Sequence, residues 1–390
     1  VGGNLSISRR RILELHAKYA ILCVIYLGSC HRGEYGLQRK IGALRLGLTF
    51  AGCFLGAGYV SGQELWQYFG AFGTHGLLGL VLAIALLGGT GVLLLRLSAR
   101  TGIEAMDALI VRADIPWLRT LVGVLTAALL FGVVCIMAAG IGALGSQMLG
   151  LPVWLGSAIV CVLIAAAAYF GVGGMVTVFT VAVPCMIVAA LIIAGIRLQR
   201  TGLTAAAFAG GSTNPMLGSW VTSAVNYAAY NFFATVGILA PMTQHLKSRS
   251  TSGWGTLLGC VLLLAVALGV LCALATSPES IAAPLPMLDL ACRLGAAGIV
   301  YAVLLFFGMF GTSVSSLVAV VTYAGQKSAW LSAHRTLVLL VLTAAAFAGS
   351  LFGFGDLIGT VYPVYGYLGM AAMLLVTEHA IHARRAAAGD

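Results

Sequence analysis

The chain has 390 residues, 61% of them hydrophobic and 8% charged, with a mean hydropathy of +1.04 and a formal net charge of +10. Soluble domains carry roughly 25% charged residues, so a water-soluble globular protein is excluded, and repeated apolar runs near the ~20 residues of a bilayer crossing mark a polytopic α-helical membrane protein. Segments of about ten alternating apolar and polar residues, the mark of a transmembrane barrel, are absent, and the basic residues cluster in tails and loops, where they act as topology signals rather than a nucleic-acid surface.

In chain order, residues 1–41 read as an N-terminal cytosolic arm. Ser8-Arg9-Arg10-Arg11 before the apolar patch Tyr19 to Leu27 has the outline of a signal peptide. The patch is short, however, and Arg39-Lys40 follow it without a small-residue cleavage site. Ten spans are expected next, at about 42–73, 76–96, 117–149, 153–170, 175–197, 218–246, 253–275, 286–325, 334–352 and 355–378. The first and sixth are interrupted by glycine and polar residues, while the third and eighth exceed what a bilayer requires.

Five spans fall before the external linker 198–217 and five after it, and each half runs broken, medium, long, short, medium. An odd number of spans per half inverts the second half. The fold class expected is therefore an all-α membrane protein of ten transmembrane helices in a 5+5 inverted repeat, with helices one and six broken. The repeats would cover 42–197 and 218–378, followed by a cytosolic tail, 379–390. With the N-terminus inside, 18 of the 21 Lys and Arg lie in inside tails and loops, and only Arg197, Arg200 and Arg293 lie outside. That asymmetry places both termini in the cytoplasm.

The first span ends unusually, in FLGAGYVSGQELWQYFG, Phe54 to Gly70. Glycines let helices approach closely or let the backbone unwind. For Gly56 and Gly58, mid-span and followed by polar residues, unwinding is expected. Exposed amides and carbonyls at membrane depth are tolerated only where they line a cavity or bind something. Amides opening the second half-helix suit a carboxylate, and carbonyls ending the first suit a cation. Glu64 has functional roles to choose among: external gate partner, proton carrier, or counter-ion to a cationic solute. The alternative is a carboxylate near the outer interface reaching water. Gln63 and Gln67 lie four apart on one helical face and are expected on the access path, and Arg293 is a candidate partner for Glu64.

The run Arg45-Leu46-Gly47-Leu48 with Ala51-Gly52-Cys53-Phe54-Leu55-Gly56-Ala57-Gly58 resembles the first helix of the LeuT-fold transporters. Gly56-Ala57-Gly58-Tyr59-Val60-Ser61-Gly62-Gln63-Glu64 more closely resembles the YkvI family of bacterial membrane proteins, grouped with the amino acid–polyamine–organocation superfamily. The resemblance spans about residues 42–378. It implies that the Gly52 and Leu55 carbonyls contribute to a sodium site and that the Ala57 and Gly58 amides, flanked by Gly56 and Tyr59, meet a solute carboxylate. Sodium-coupled relatives carry asparagine where this chain has Cys53 and Tyr59, which argues against a second, solute-linked sodium.

In the sixth span, Ser223 to Phe233 holds Asn226, Tyr227, Tyr230 and Asn231, with Gly237 and Pro241 beyond. Polar groups mid-span need partners, and interhelical hydrogen bonding is the plain reading. As the repeat partner of span one, this segment is expected to line the site through Tyr227, Tyr230 or Asn231, and the resemblance agrees. In the eighth span, Thr312 and Ser316, or Ser313 and Ser316, can face one point. Hydroxyl oxygens suit an alkali cation, although such hydroxyls also bond back to their own helix. The resemblance makes them candidate sodium ligands, with Thr312–Ser313 and Ser315–Ser316 in competition. Asp356 and Tyr362 are lesser candidates for an outer gate.

The nine cysteines are scattered and form no CxxC, as expected of packing residues. No HExxH, GxSxG or P-loop motif marks an enzyme or a nucleotide-driven pump. The function expected is an ion-gradient-coupled secondary transporter in the bacterial cytoplasmic membrane. It would carry a small organic solute, an amino acid or related compound, by alternating access. Its only cofactor would be a coupling ion, sodium or a proton. The competing reading is a non-transporting solute sensor or receptor subunit of the same fold.

Overall fold

At membrane depth there is no water to bond the backbone, so each segment must satisfy its own amides, which a helix does. The computed structural model describes residues 41–103, 106–111, 115–170, 175–203, 208–243 and 246–388. Among these the only β pairing is an isolated bridge between Ile41 and Leu246. Residues 1–40 of the expected arm, Arg112 and His245 lie outside the described residues.

The helices are α1 (Ala43–Phe54), α2 (Ala57–Ser61), α3 (Gln63–Tyr68), α4 (Thr74–Thr101), α5 (Met106–Ile110), α6 (Pro116–Leu149), α7 (Val153–Phe170) and α8 (Met175–Thr201). After the linker come α9 (Trp220–Met242), α10 (Arg249–Ala275), α11 (Pro278–Ile281), α12 (Pro286–Cys292), α13 (Ala297–Lys327), α14 (Ala329–Ala333), α15 (Arg335–Ser350) and α16 (Phe354–Ala388). Among the described residues, seven helical stretches are long and apolar enough to cross a membrane: α4, α6, α7, α13, Pro184–Thr201 of α8, Ser250–Ala275 of α10 and Phe354–Arg385 of α16. α1 and α15 are apolar but shorter. α9 is long enough at 23 residues, but its asparagines and tyrosines dilute its apolar character.

These helices follow the expected segments closely, with three differences, the first being that α16 runs on to Ala388, through the segment expected as a tail. The expected eighth span, 286–325, is two helices, α12 and α13, because the chain turns through Gly295 at φ +79°. The expected sixth span carries no interruption: α9 runs from Trp220 to Met242. Its polar side chains find partners without unwinding the helix. Asn231 Nδ2 donates to the Tyr227 carbonyl at 3.0 Å, and Thr235 to the Asn231 carbonyl at 3.0 Å.

Close helix approach depends on glycine at a few places. A Cβ on Gly47 of α1 would stand 2.8 Å from the Gly255 carbonyl of α10, and one on Gly259 would stand 2.8 Å from the Gly47 carbonyl. Gly255 and Gly259 thus form a small-xxx-small seam against α1. On α16, Gly366 presses on the Asn226 side chain and Gly369 on the Ala229 carbonyl, so α9 and α16 meet backbone to backbone. α3 sits among α9, α10 and α16.

Candidate functional site

The site begins where α1 ends. Leu55 makes the last helical bond of α1, donating to the Ala51 carbonyl at 3.0 Å, and Gly56, whose amide turns back to the Phe54 carbonyl at 2.7 Å, then runs extended at φ −81°, ψ 178°. The helix restarts at Ala57, with no side chain capping its first turn. A Cβ on Gly52 or Gly56 would meet no atom within 4 Å, so this side of the interruption borders open space.

A second turn follows at Gly62, whose φ of +83° favours glycine. It separates α2 from α3 and turns Glu64 back over Gly58 of α2. Glu64 is only 6% exposed. Its Oε1 accepts a hydrogen bond from the Tyr230 hydroxyl of α9. Its Oε2 lies over Gly58, where a Cβ would stand 2.8 Å away and 4.0 Å from the Tyr362 hydroxyl of α16. Glycine at 58 therefore makes room for the carboxylate. The Tyr227 hydroxyl lies beside the same carboxylate but makes no hydrogen bond of ordinary geometry.

Aromatic rings close around this acid. Tyr230 stacks on Tyr362 with centroids 4.6 Å apart and planes 8° apart. Tyr227 meets Tyr230 edge-on at 5.4 Å and Tyr68 at 5.3 Å. Two further tyrosines pin the interrupted segment to its neighbours. Tyr59 donates to the Leu263 carbonyl of α10 at 2.8 Å, and Tyr301 of α13 donates to the Val60 carbonyl at 2.6 Å.

A polar chain runs from α3 into α16. The Tyr68 hydroxyl donates to Asn226 Oδ1 at 3.1 Å, and Asn226 Nδ2 donates to the Pro363 carbonyl at 2.9 Å. Pro363 has no amide hydrogen for the Gly359 carbonyl one turn earlier. Asn214 of the linker supplies the missing donor at 2.6 Å.

The structure thus brings Gly58, Glu64, Tyr227 and Tyr230 together, and Gly56 lies two residues before Gly58 on the open side of the interruption. Ala57 opens α2 in the same segment, and Tyr59 is directed to α10. Asn231 is buried, but its amide is held within its own helix. Glu64 is buried rather than reaching water at an interface. Nor does it pair with Arg293, which bonds Asp289 at 2.9 Å and Glu279 at 2.6 Å on an exposed surface. Those hydrogen bonds, to Asp289 first, hold the Arg293 guanidinium still more firmly protonated. Gln67 donates to the Gly355 carbonyl at 3.0 Å, and Gln63 Nε2 lies over the same glycine, so both glutamines face the start of α16. Asp356 is exposed, whereas Tyr362 belongs to the buried cluster.

Of the candidate sodium ligands, Thr312 donates to the Gly308 carbonyl at 2.9 Å and Ser313 to the Met309 carbonyl at 2.8 Å. Ser316 is buried, Leu55 is buried at the end of α1, and Gly52 is exposed. α13 packs on α2, while the main neighbour of α1 is α10. Sequence reasoning missed Tyr68, Asn214 and Pro363. Tyr68 was legible as the residue one helical turn after Glu64, and Pro363 as a helix interruption one turn after Gly359.

No family model matches the chain. The membrane protein YkvI of Bacillus subtilis (strain 168) is 25% identical over 336 residues, covering 86% of this chain and 95% of that protein. YyaD of the same strain is 24% identical over 340 residues, covering 86% and 96%. The chain is a homologue of these two proteins. Inward-facing Mhp1 superposes with a TM-score of 0.63 at 13% identity, covering 87% of this chain and 77% of that one. MhsT in complex with L-phenylalanine gives a TM-score of 0.58 at 16% identity, covering 89% and 93%. At such identities the likeness is one of fold, and the fold is that of the LeuT-like proteins.

Proposed function

We propose that the protein is a secondary transporter that moves a small organic solute, an amino acid or a related compound, across the bacterial cytoplasmic membrane by alternating access. Both termini face the cytoplasm, and the helices form two inverted five-helix repeats over 42–197 and 218–378. The observation that carries this reading is the interruption at Leu55–Gly56, open on the side of Gly52 and Gly56, with the buried acid Glu64 over Gly58 just beyond it. Interrupted backbone at membrane depth is retained where it serves a ligand. The solute would contact Gly56, Ala57, Gly58 and Tyr59 on one side and Tyr227, Tyr230 and Asn231 on the other.

The coupling ion under this reading is the proton. What supports the proton is Glu64, a titratable group buried within the site. The test is uptake of labelled amino acids and amines into liposomes holding the purified protein, under an imposed pH gradient. Saturable accumulation that collapses with the gradient is the expected result. Saturable binding with no flux would replace the transporter with a solute sensor of the same fold.

A further inference from the structure

Glu64 is an acid without a cation. Among the described residues no Lys, Arg or His pairs with it. The ionisable groups that face it are all tyrosines: Tyr59 from α2, Tyr68 from its own helix, Tyr227 and Tyr230 from α9, and Tyr362 from α16. α10, which also packs on α3, sets no charged group against it. One carboxyl oxygen has the Tyr230 donor, and the other lies over Gly58. A lone buried carboxylate costs several kcal/mol, so this group is accommodated in two ways: with a proton on it, or with a cation beside it.

The surroundings suit a cation from outside the protein. Tyrosine faces attract ammonium groups, and no basic side chain repels them. The Tyr227 hydroxyl, fully buried and unbonded, is an acceptor left over beside the acid. An anionic solute group docked here would face the acid with no compensating charge.

We infer that Glu64 holds a proton and an ammonium group of the solute in alternation, making the site an exchanger of protons for small amine-bearing solutes. The inference rests on the proposed solute site at the α1–α2 interruption. With the site empty, the carboxyl O–H is intact. When the ammonium docks, that bond breaks, the proton leaves to water, and an N–H of the solute donates to the carboxylate. One group cannot hold both, so each loaded solute releases a proton on one side, and each return of the empty site carries one back.

The experiment uses the full chain in detergent and weak buffer with a pH indicator, and methylammonium, benzylammonium and phenethylammonium as probes. At least one probe binds saturably, releasing up to about one proton per bound cation as pH is lowered. Its affinity falls about tenfold per pH unit in that limb. Glu64→Gln abolishes the release and the pH slope, and Glu64→Asp, which keeps the carboxyl, retains both. Failure of all three probes to bind, or binding that is equal in Glu64→Gln and releases no proton, overturns the inference. Flux is read separately in liposomes. Solute flux without proton release keeps the transporter and removes the exchange, whereas proton release without flux keeps the exchange site and removes the transporter.

Discussion

Asn214, in the linker ahead of α9, donates its side-chain amide to the Gly359 carbonyl of α16 at 2.6 Å. That carbonyl is the one Pro363 leaves without a helical partner. Asn214 Oδ1 meanwhile accepts from the Met216 amide at 2.9 Å, so one side chain fixes both the linker turn and the proline site. Asn214→Ala is expected to destabilise the protein by about 1–2 kcal/mol, the cost of a part-buried acceptor losing its donor. Pro363→Ala returns an amide to the helix, so Asn214→Ala should cost less in that background. A double-mutant cycle on thermal unfolding measures the difference, and equal costs in both backgrounds would contradict the pairing.

Glycine substitutions should separate packing from open space. A Cβ on Gly366 runs into the Asn226 side chain, and one on Gly369 into the Ala229 carbonyl. Each Ala variant is expected to lose about 1–3 kcal/mol through overpacking of α9 against α16. Gly52→Ala meets nothing and should gain up to about 1 kcal/mol from helix propensity. Melting temperatures that fall alike in all three would refute the distinction.

The segments of the fold were legible because burial in lipid writes itself as apolar run length, and α6, α7 and α10 start and stop where those runs do. The interruption after Phe54 was legible because glycine and polar residues are costly mid-helix without a purpose. The continuity of α9 was not. Asn226, Tyr227 and Asn231 look like a break in one dimension, and only the fold supplies Tyr68 and the Pro363 carbonyl as partners. Glu64 was visible as a functional residue, but its burial was not. Its position depends on the left-handed turn at Gly62, and the Tyr230 and Tyr362 rings that cover it come from segments more than 160 residues away along the chain. Arg293 was drawn to Glu64 by charge alone, whereas acids on its own helix and the preceding one lay nearer.

Arg293→Ala should accordingly leave solute binding unchanged, because the guanidinium serves an exposed clip between α11 and α12. Exposed ion pairs contribute little to stability, so the melting temperature should also hold. A loss of binding measured by calorimetry would instead tie this clip to access.

Sodium offers another test. With the proton as the coupling ion, melting temperatures in matched sodium, potassium and choline chloride should agree. A ligand bound at 100 times its dissociation constant stabilises by about 2.7 kcal/mol, a shift that thermal unfolding resolves. A sodium-specific rise that disappears in Ser316→Ala would restore the sodium site and displace the proton as coupling ion.

Gly58→Ala addresses the carboxylate most directly. The added methyl would stand 2.8 Å from Glu64 Oε2. Because that oxygen ends a flexible side chain, the clash is relieved by moving the carboxylate rather than the backbone. The helix should tolerate the change, with a stability effect within about 1 kcal/mol. The displaced carboxylate, however, can no longer accept from Tyr230 and keep its place over α2 at once. Ammonium-probe affinity should therefore fall about tenfold or more, equivalent to ~1.4 kcal/mol of binding energy. Unchanged affinity at unchanged stability would mean that the solute is held elsewhere.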